Sequence, residues 1–408
     1  VAEEHNNQIP TSKVKLKVAI LGGGVAGSYL HWLLSREGVE SELFDPVRNY
    51  FKACGEVVTG SYAPKNGWKV LHWVKTFNLR VDSNSVYSTT YRYAKWQVVD
   101  KYSWVNSMRT DAKHPSQLGP SDILVDARGP YAGDRERVCV VRALIKGETD
   151  AVTLDFSTKR PGFFWIFPSH KGLVSVGGGF LGESDPRSAL MNYLTAWGFQ
   201  KNVISVLGAP LSIGQPSEKK NRIGEARGLV MPLAGEGIRP AAISAEAAAW
   251  AISRGRDLND HIETSLADLT QEMTLQSQLL RVYAALAPSL RRVVLKTLLR
   301  HDYLVEAYLS ESLTPWTMLT SLLEIPRLRF QVRSMRDYDL LAFLPPSIQG
   351  FFGSVNPLES SSVCNNSKHG KYEDRPHGKQ EDQQYQDQPF RPFSKSYAFH
   401  LDPQCLCL

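Results

Sequence analysis

The chain has little of what marks several large protein classes. None of its 408 residues falls in a run approaching the about 18–20 consecutive apolar residues that cross a bilayer, so no transmembrane helix is expected. Five cysteines, at positions 54, 139, 364, 405 and 407, are too scattered for a disulfide framework or a zinc site, and no metal is expected. The opening VAEEHNNQIPTSK is polar and lacks the apolar core of a signal peptide. These absences predict a reduced, cytoplasmic protein. A net charge of +6 is mild and stands beside no nucleic-acid-binding motif, which disfavours nucleic acid as a partner. It remains compatible with an anionic membrane surface or a phosphorylated substrate. No internal repeat is visible.

What is present is an ordinary globular composition, 42% hydrophobic, with length for two lobes. The chain is organised around Lys17 to Pro46. Val18-Ala19-Ile20-Leu21 reads as a buried parallel strand. It runs into Gly22-Gly23-Gly24-Val25-Ala26-Gly27, which fits the dinucleotide pattern G-x-G-x-x-G. Gly22 serves the tight turn, Gly24 the approach of a pyrophosphate, and Gly27 the packing of helix on strand. A helix from Ser28 to Ser35 follows and stops at Gly38; a second strand, Glu42 to Phe44, ends at Asp45. A carboxylate ~20 residues past the glycines suits a ribose diol.

Two later segments extend this pattern. Ile123 to Val125 is another buried strand and leads into Asp126-Ala127-Arg128-Gly129. Gly224-Glu225-Ala226-Arg227-Gly228 precedes Pro232 to Ile238, a glycine-rich helix start whose free N–H groups favour an anion. A flavin dinucleotide is long enough to need three such segments. Between them, 138–180 reads as a β meander: Val138–Ile145, Ala151–Phe156, Gly162–Phe167 and Gly172–Gly177. Ser188 to Trp197 is a helix, and Leu258 to Leu344 has a helical apolar period broken at Pro288, Pro315 and Pro326. The boundaries expected are a flexible arm at 1–16, a nucleotide lobe at 17–137 and 221–255, and a β-sheet substrate lobe at 138–220. A helical region at 256–352 and a polar, disordered tail at 353–408 complete the chain.

These residues resemble the geranylgeranyl reductases, and within them the archaeal digeranylgeranylglycerophospholipid reductases, over about residues 16–345. The most specific stretches are Lys52-Ala53-Cys54-Gly55-Glu56, Gly162-Phe163-Phe164-Trp165-Ile166-Phe167-Pro168, and Pro232 to Ile238. The resemblance implies an α/β fold of the p-hydroxybenzoate hydroxylase kind: a Rossmann-type FAD lobe, an antiparallel substrate sheet and C-terminal helices. It implies FAD and the saturation of isolated isoprenoid double bonds, as in membrane lipids or their precursors. Carried over by position, the FAD contacts are Gly22, Gly24, Ala26, Gly27, Asp45, Cys54, Gly55, Lys101, Ala127, Glu225, Gly235, Gly237 and Ile238. Three departures stand out: Glu225 replaces the usual Asp, Lys101 the usual Arg, and only about 14 residues separate Met108 from Ile123.

Alternation puts Phe163, Trp165 and Phe167 on one face of a strand, where they are expected to wall an apolar substrate channel; a core strand buried on both faces is the alternative. Cys54 is the candidate catalytic thiol, weighed against a small buried hydrophobe. Arg291, Arg292, Lys296 and Arg300, and a second set at Arg327, Arg329, Arg333 and Arg336, are solvated faces or hold lipid phosphates at a membrane surface. The terminal Cys405-Leu406-Cys407-Leu408 matches a prenylation signal loosely and is read as chance. With no second nucleotide motif, the electron donor is left among ferredoxin, NAD(P)H and a deazaflavin. The rival readings are a flavin monooxygenase or halogenase on the same fold, and a non-catalytic lipid-binding relative.

Overall fold

A computed structural model describes residues 16–313, except 134, 215 and 217–219. The strands are β1 (Lys17–Leu21), β2 (Glu40–Phe44), β3 (Val57–Thr59), β4 (Val70–Val74), β5 (Thr76–Val81), β6 (Asn84–Thr90), β7 (Trp96–Val99), β8 (Ile123–Asp126), β9 (Arg137–Lys146), β10 (Ala151–Phe156), β11 (Gly162–Pro168), β12 (Leu173–Phe180) and β13 (Val203–Ser212). The helices are α1 (Val25–Arg36), α2 (Lys101–Ser107), α3 (Pro186–Ala196), α4 (Ile238–Ser253), α5 (Leu258–Ser265), α6 (Ala267–Ala285), α7 (Pro288–Leu298) and α8 (Asp302–Leu309). Among the described residues no helix is long and apolar enough to cross a membrane. Residues 1–15 of the expected arm, the tail, the second arginine set, the terminal cysteines and the helical stretch beyond 313 lie outside the described residues.

The glycine segment sits where its pattern predicts. β1 is the centre of a parallel sheet in the order β2-β1-β8, with Val18, Ala19 and Ile20 wholly buried. Single parallel bridges, Phe44 to Lys113 and Asp126 to Arg222, continue it at both edges. The short 109–122 connection thus closes one edge of the sheet. Helix α1 turns Tyr29, Leu30, Leu33 and Leu34 onto the core, each worth about 1.5–3 kcal/mol when fully buried. The buried Tyr29 hydroxyl is satisfied: it donates to Glu246 Oε1 at 2.8 Å and accepts from the Lys65 N–H at 2.6 Å. Alanines of α4 allow close packing here. A Cβ on Gly224 would lie 2.7 Å from that of Ala26 and 3.3 Å from that of Ala241.

The second sheet corrects two expectations. Its order is β13-β9-β12-β11-β10-β5-β6, so β9 pairs with β12 and not with its chain neighbour β10; only β10-β11-β12 is a meander. β5 and β6, expected in the nucleotide lobe, belong to this sheet, and β5 joins β10 in parallel, making the sheet mixed. The reason is burial: Phe77, Leu79 and Val81 alternate inward with Val152, Leu154, Trp165 and Phe167 in one core. A small antiparallel sheet, β3-β7-β4, is made by the strands on either side of β5 and β6. The first arginine set is also reassigned in part. Arg291 is buried and donates to the carbonyls of Tyr283, Ala284, Thr158 and Lys159, while Arg292 pairs with Asp82 at 2.8 Å. These two are structural ties.

Candidate functional site

Three glycines of the first turn are required for three different reasons. Gly22 has φ +101°, and a Cβ there would meet the Ala127 carbonyl oxygen at 2.5 Å. A Cβ on Gly27 would lie 1.9 Å from the Gly22 carbonyl oxygen, so that glycine sets the approach of α1 to β1. Gly24 is different: the nearest atom to its added Cβ is Tyr50 Cε2 at 3.9 Å. Nothing among the described residues crowds it. Gly24 is also the N-cap of α1, with no side-chain cap and no acidic residue in the first turn. Open backbone N–H groups beside free space make an anion cradle, and a pyrophosphate fits it.

Asp45 ties this turn to the end of β2. Its Oδ2 accepts from the Gly23 N–H at 2.5 Å, and its Oδ1 accepts from the Val47 N–H at 2.8 Å and lies 3.2 Å from Arg109. Arg109, only 3% exposed, also donates to the Gly23 carbonyl at 2.6 Å. The expected ribose contact is therefore partly engaged within the protein, with lone-pair capacity left on each oxygen. Arg109 was not foreseen, because an arginine in sequence reads as a surface residue; its burial needs the whole turn to be seen.

The Lys52–Glu56 segment forms a dense polar cluster. Lys101 is 1% exposed and donates to the Lys52 carbonyl at 3.0 Å and the Cys54 sulfur at 2.8 Å. Its ammonium lies 5.2 Å from the Tyr50 ring centre and 4.8 Å from that of Tyr102. Burial pulls this ammonium down, but Cys54, Tyr50, Tyr102 and Glu56 outweigh it and hold Lys101 well above the usual lysine range. The Tyr102 hydroxyl donates to the Lys52 carbonyl at 2.8 Å. Lys52 itself pairs with Glu225, whose other oxygen accepts from the Ser212 N–H at 2.7 Å. Glu225, expected at the cofactor, thus also locks the Lys52 loop to β13. Glu56, not foreseen as a site residue, is 2% exposed with its carboxylate 3.8 Å from Arg142.

At the third segment Gly235 has φ +68°, and Gly237 is the N-cap of α4. Ile238 is buried in the core. The buried Glu236 accepts from the Arg239 N–H at 3.1 Å, and its other oxygen lies 3.4 Å from the Arg239 guanidinium, which also pairs with Glu311. Burial pushes the Glu236 carboxyl up to about 7 against the pull of Arg239. This helix start already holds a carboxylate of its own, so a further negative group there favours the protonated form of Glu236.

The aromatic strand lies beside the Cys54 turn. A Cβ on Gly55 would sit 2.6 Å from the Phe167 ring and 3.6 Å from Trp165 Nε1, so the turn rests on that face of β11. Trp165 and Phe167 stack with centres 5.9 Å apart and are each 6% exposed, packed with Trp96, Leu299 and Leu309; Phe163 is half-buried. Phe164, on the other face, stacks on Tyr193 of α3 at 4.0 Å. The structure therefore brings Gly55 to Phe167 and Trp165 of this face, while Cys54 packs on the core of the glycine-turn lobe and its sulfur accepts from Lys101. Ala127 and Gly22 meet at the glycine turn, and Gly235, Gly237 and Ile238 lie at the start of α4.

No family model matches the sequence, and no curated protein matches it. In three dimensions the chain is similar to a geranylgeranyl bacteriochlorophyll reductase-like protein from Thermoplasma acidophilum. The TM-score is 0.60 at 14% identity, over 78% of this chain and 99% of that one. It is also similar to a flavin-dependent brominase, with a TM-score of 0.52 at 14% identity over 72% of this chain and 92% of that one. A triple mutant of that brominase scores 0.55 at 13% identity. The α/β fold expected from the sequence is the fold these proteins share.

Proposed function

We propose that the chain is an FAD-dependent oxidoreductase that saturates double bonds of geranylgeranyl chains in membrane lipids or their precursors. The observation that carries this reading is the seat of Gly55, in the Cys54-Gly55-Glu56 turn, on the aromatic face of β11, with the turn linked through Lys101 and Tyr50 to a glycine turn whose cradle is open at Gly24. The similarity to a geranylgeranyl bacteriochlorophyll reductase-like protein supports the same class.

Gly24 and the first turn of α1 would hold the pyrophosphate, and Asp45 the ribose, sharing its carboxylate with Arg109. Lys101 fixes the Lys52 carbonyl and the Cys54 sulfur and so holds the turn that faces β11. Reduced FAD supplies a hydride when an external donor (ferredoxin, a nicotinamide or a deazaflavin) has loaded it. An isolated alkene has no polar handle. Orientation must come from apolar contact, and rigid aromatic side chains give much area at small entropic cost. Phe163 is the half-exposed member of that face and would meet the chain first. Peripheral docking on a lipid surface would bring such a substrate within reach.

The test is anaerobic. Protein, FAD, dithionite and a geranylgeranyl phospholipid are incubated under argon, and products are read by mass spectrometry. Gain of two hydrogens per double bond supports the proposal. Turnover that appears only with oxygen would replace it with a monooxygenase or halogenase reading.

A further inference from the structure

Glu56 is a buried acid whose ion-pair partner, Arg142, stands 3.8 Å away. Its backbone has φ +59°, the left-handed region that costs a glutamate energy and a glycine almost nothing. Such strain persists where the surroundings impose it, and it gathers at functional sites. The side chain is 2% exposed, and Oε1 has no hydrogen-bond partner among the described residues. Oε2 lies 3.8 Å from Arg142, beyond hydrogen-bond reach. An ionised carboxylate left this way is costly, whereas a neutral carboxyl is tolerated.

The groups that face it are known from each side. Lys101 and Asp100 come from α2 and its cap, Arg142 from β9, and His170 from the turn after β11; burial outweighs their sum and raises the carboxyl. Cys54, on its own turn, accepts from the Glu56 N–H at 3.2 Å. The adjoining Gly55 rests on Phe167 and Trp165.

We infer that Glu56 is the proton donor of the alkene reduction, an assignment that rests on the function proposed above. Its O–H bond breaks as the proton forms a C–H bond at the alkene carbon that does not receive hydride. The hydride, with both electrons, comes from the reduced flavin, which is oxidised. The carboxylate left behind is stabilised by Arg142 and Lys101 and regains a proton from solvent once product leaves, on the side of the exposed His170.

The experiment compares wild type with Glu56→Gln. In the cofactor-free proteins, the infrared difference spectrum at neutral pH should show a carboxylic-acid C=O band that the variant lacks. With FAD bound, reduction of the flavin by dithionite should be unchanged within about twofold. Saturation of the alkene should fall roughly 10²–10⁴-fold, the range for a lost general acid, and return in part in Glu56→Asp. Should Glu56→Gln fail to fold, Glu56→Gly, which φ +59° favours, carries the same test. A missing band, equal turnover in variant and wild type, or loss of FAD from the variant each overturns the assignment while the reductase reading stands. A wild-type protein that takes up no FAD overturns both.

Discussion

The Lys101 ammonium lies 2.8 Å from the Cys54 sulfur and 3.0 Å from the Lys52 carbonyl, so a single buried side chain holds the turn that meets the aromatic strand. Lys101→Met keeps the length and removes both donated bonds. Unfolding in urea should show a loss of about 1–3 kcal/mol, since a buried acceptor is stranded, and FAD affinity should weaken with it. An unchanged denaturation midpoint would show that Tyr102 and Arg142 hold the turn without Lys101.

Gly24 and Gly27 should respond in opposite ways. Gly24→Val places its side chain where only Tyr50 comes near, at 3.9 Å. The variant should fold with stability within about 0.5 kcal/mol of wild type and lose the cofactor. Gly27→Ala sets a methyl 1.9 Å from the Gly22 carbonyl oxygen and should cost more than about 3 kcal/mol. Thermal melts of the two variants without cofactor decide this. Equal melts would remove the packing role of Gly27.

Much of this turn was legible in the sequence because its signals are local. A β-branched run, glycines at fixed spacing, an apolar stripe on α1 and a terminal acid all lie between Lys17 and Asp45. The larger sheet was not legible, because strand order is fixed by pairing between distant segments. β5 meets β10 across about 70 residues, and β9 finds β12 by burying Val141 and Ala143 beside Val174 and Val176. β13 was missed because Gly208 and Pro210 interrupt a weak pattern; Pro is rare within strands. The charges at Arg109, Arg142 and Glu56 were hidden for a different reason. Composition places charged residues at the surface, and only the assembled turn shows three of them inside.

Glu236 should make stability depend on pH. Its folded carboxyl, at about 7, binds a proton more tightly than the unfolded one at 4.5. The stability it gives is full below about 4.5 and is lost as pH rises through about 7. The loss is on the order of 3 kcal/mol. Glu236→Gln cannot titrate, so wild type should weaken relative to that variant between pH 5 and 8 in paired urea titrations. Parallel profiles would mean that Arg239 keeps the carboxylate ionised.

On the aromatic face, Phe163 and Trp165 should separate substrate contact from packing. Trp165 is packed in the core and donates to the Ser175 hydroxyl at 3.2 Å; Trp165→Ala should cost about 3–5 kcal/mol. Phe163 is only half-buried, so Phe163→Ala should cost about 1–2 kcal/mol and change which double bonds are saturated. Denaturation midpoints and product mass spectra together give the answer. An unaltered product pattern in a folded Phe163→Ala would move the substrate away from this face.

The central claim is that the glycine turn, the Cys54 loop and the start of α4 together hold FAD, and equilibrium binding tests it most directly. Purified protein is titrated with FAD while flavin fluorescence and the retained visible spectrum after gel filtration are followed, with Gly24→Val alongside. One FAD should bind per chain and be released on denaturation, and none should be retained by Gly24→Val although that variant melts like wild type. A colourless wild-type protein that takes up no added FAD, or full occupancy in folded Gly24→Val, would contradict the claim.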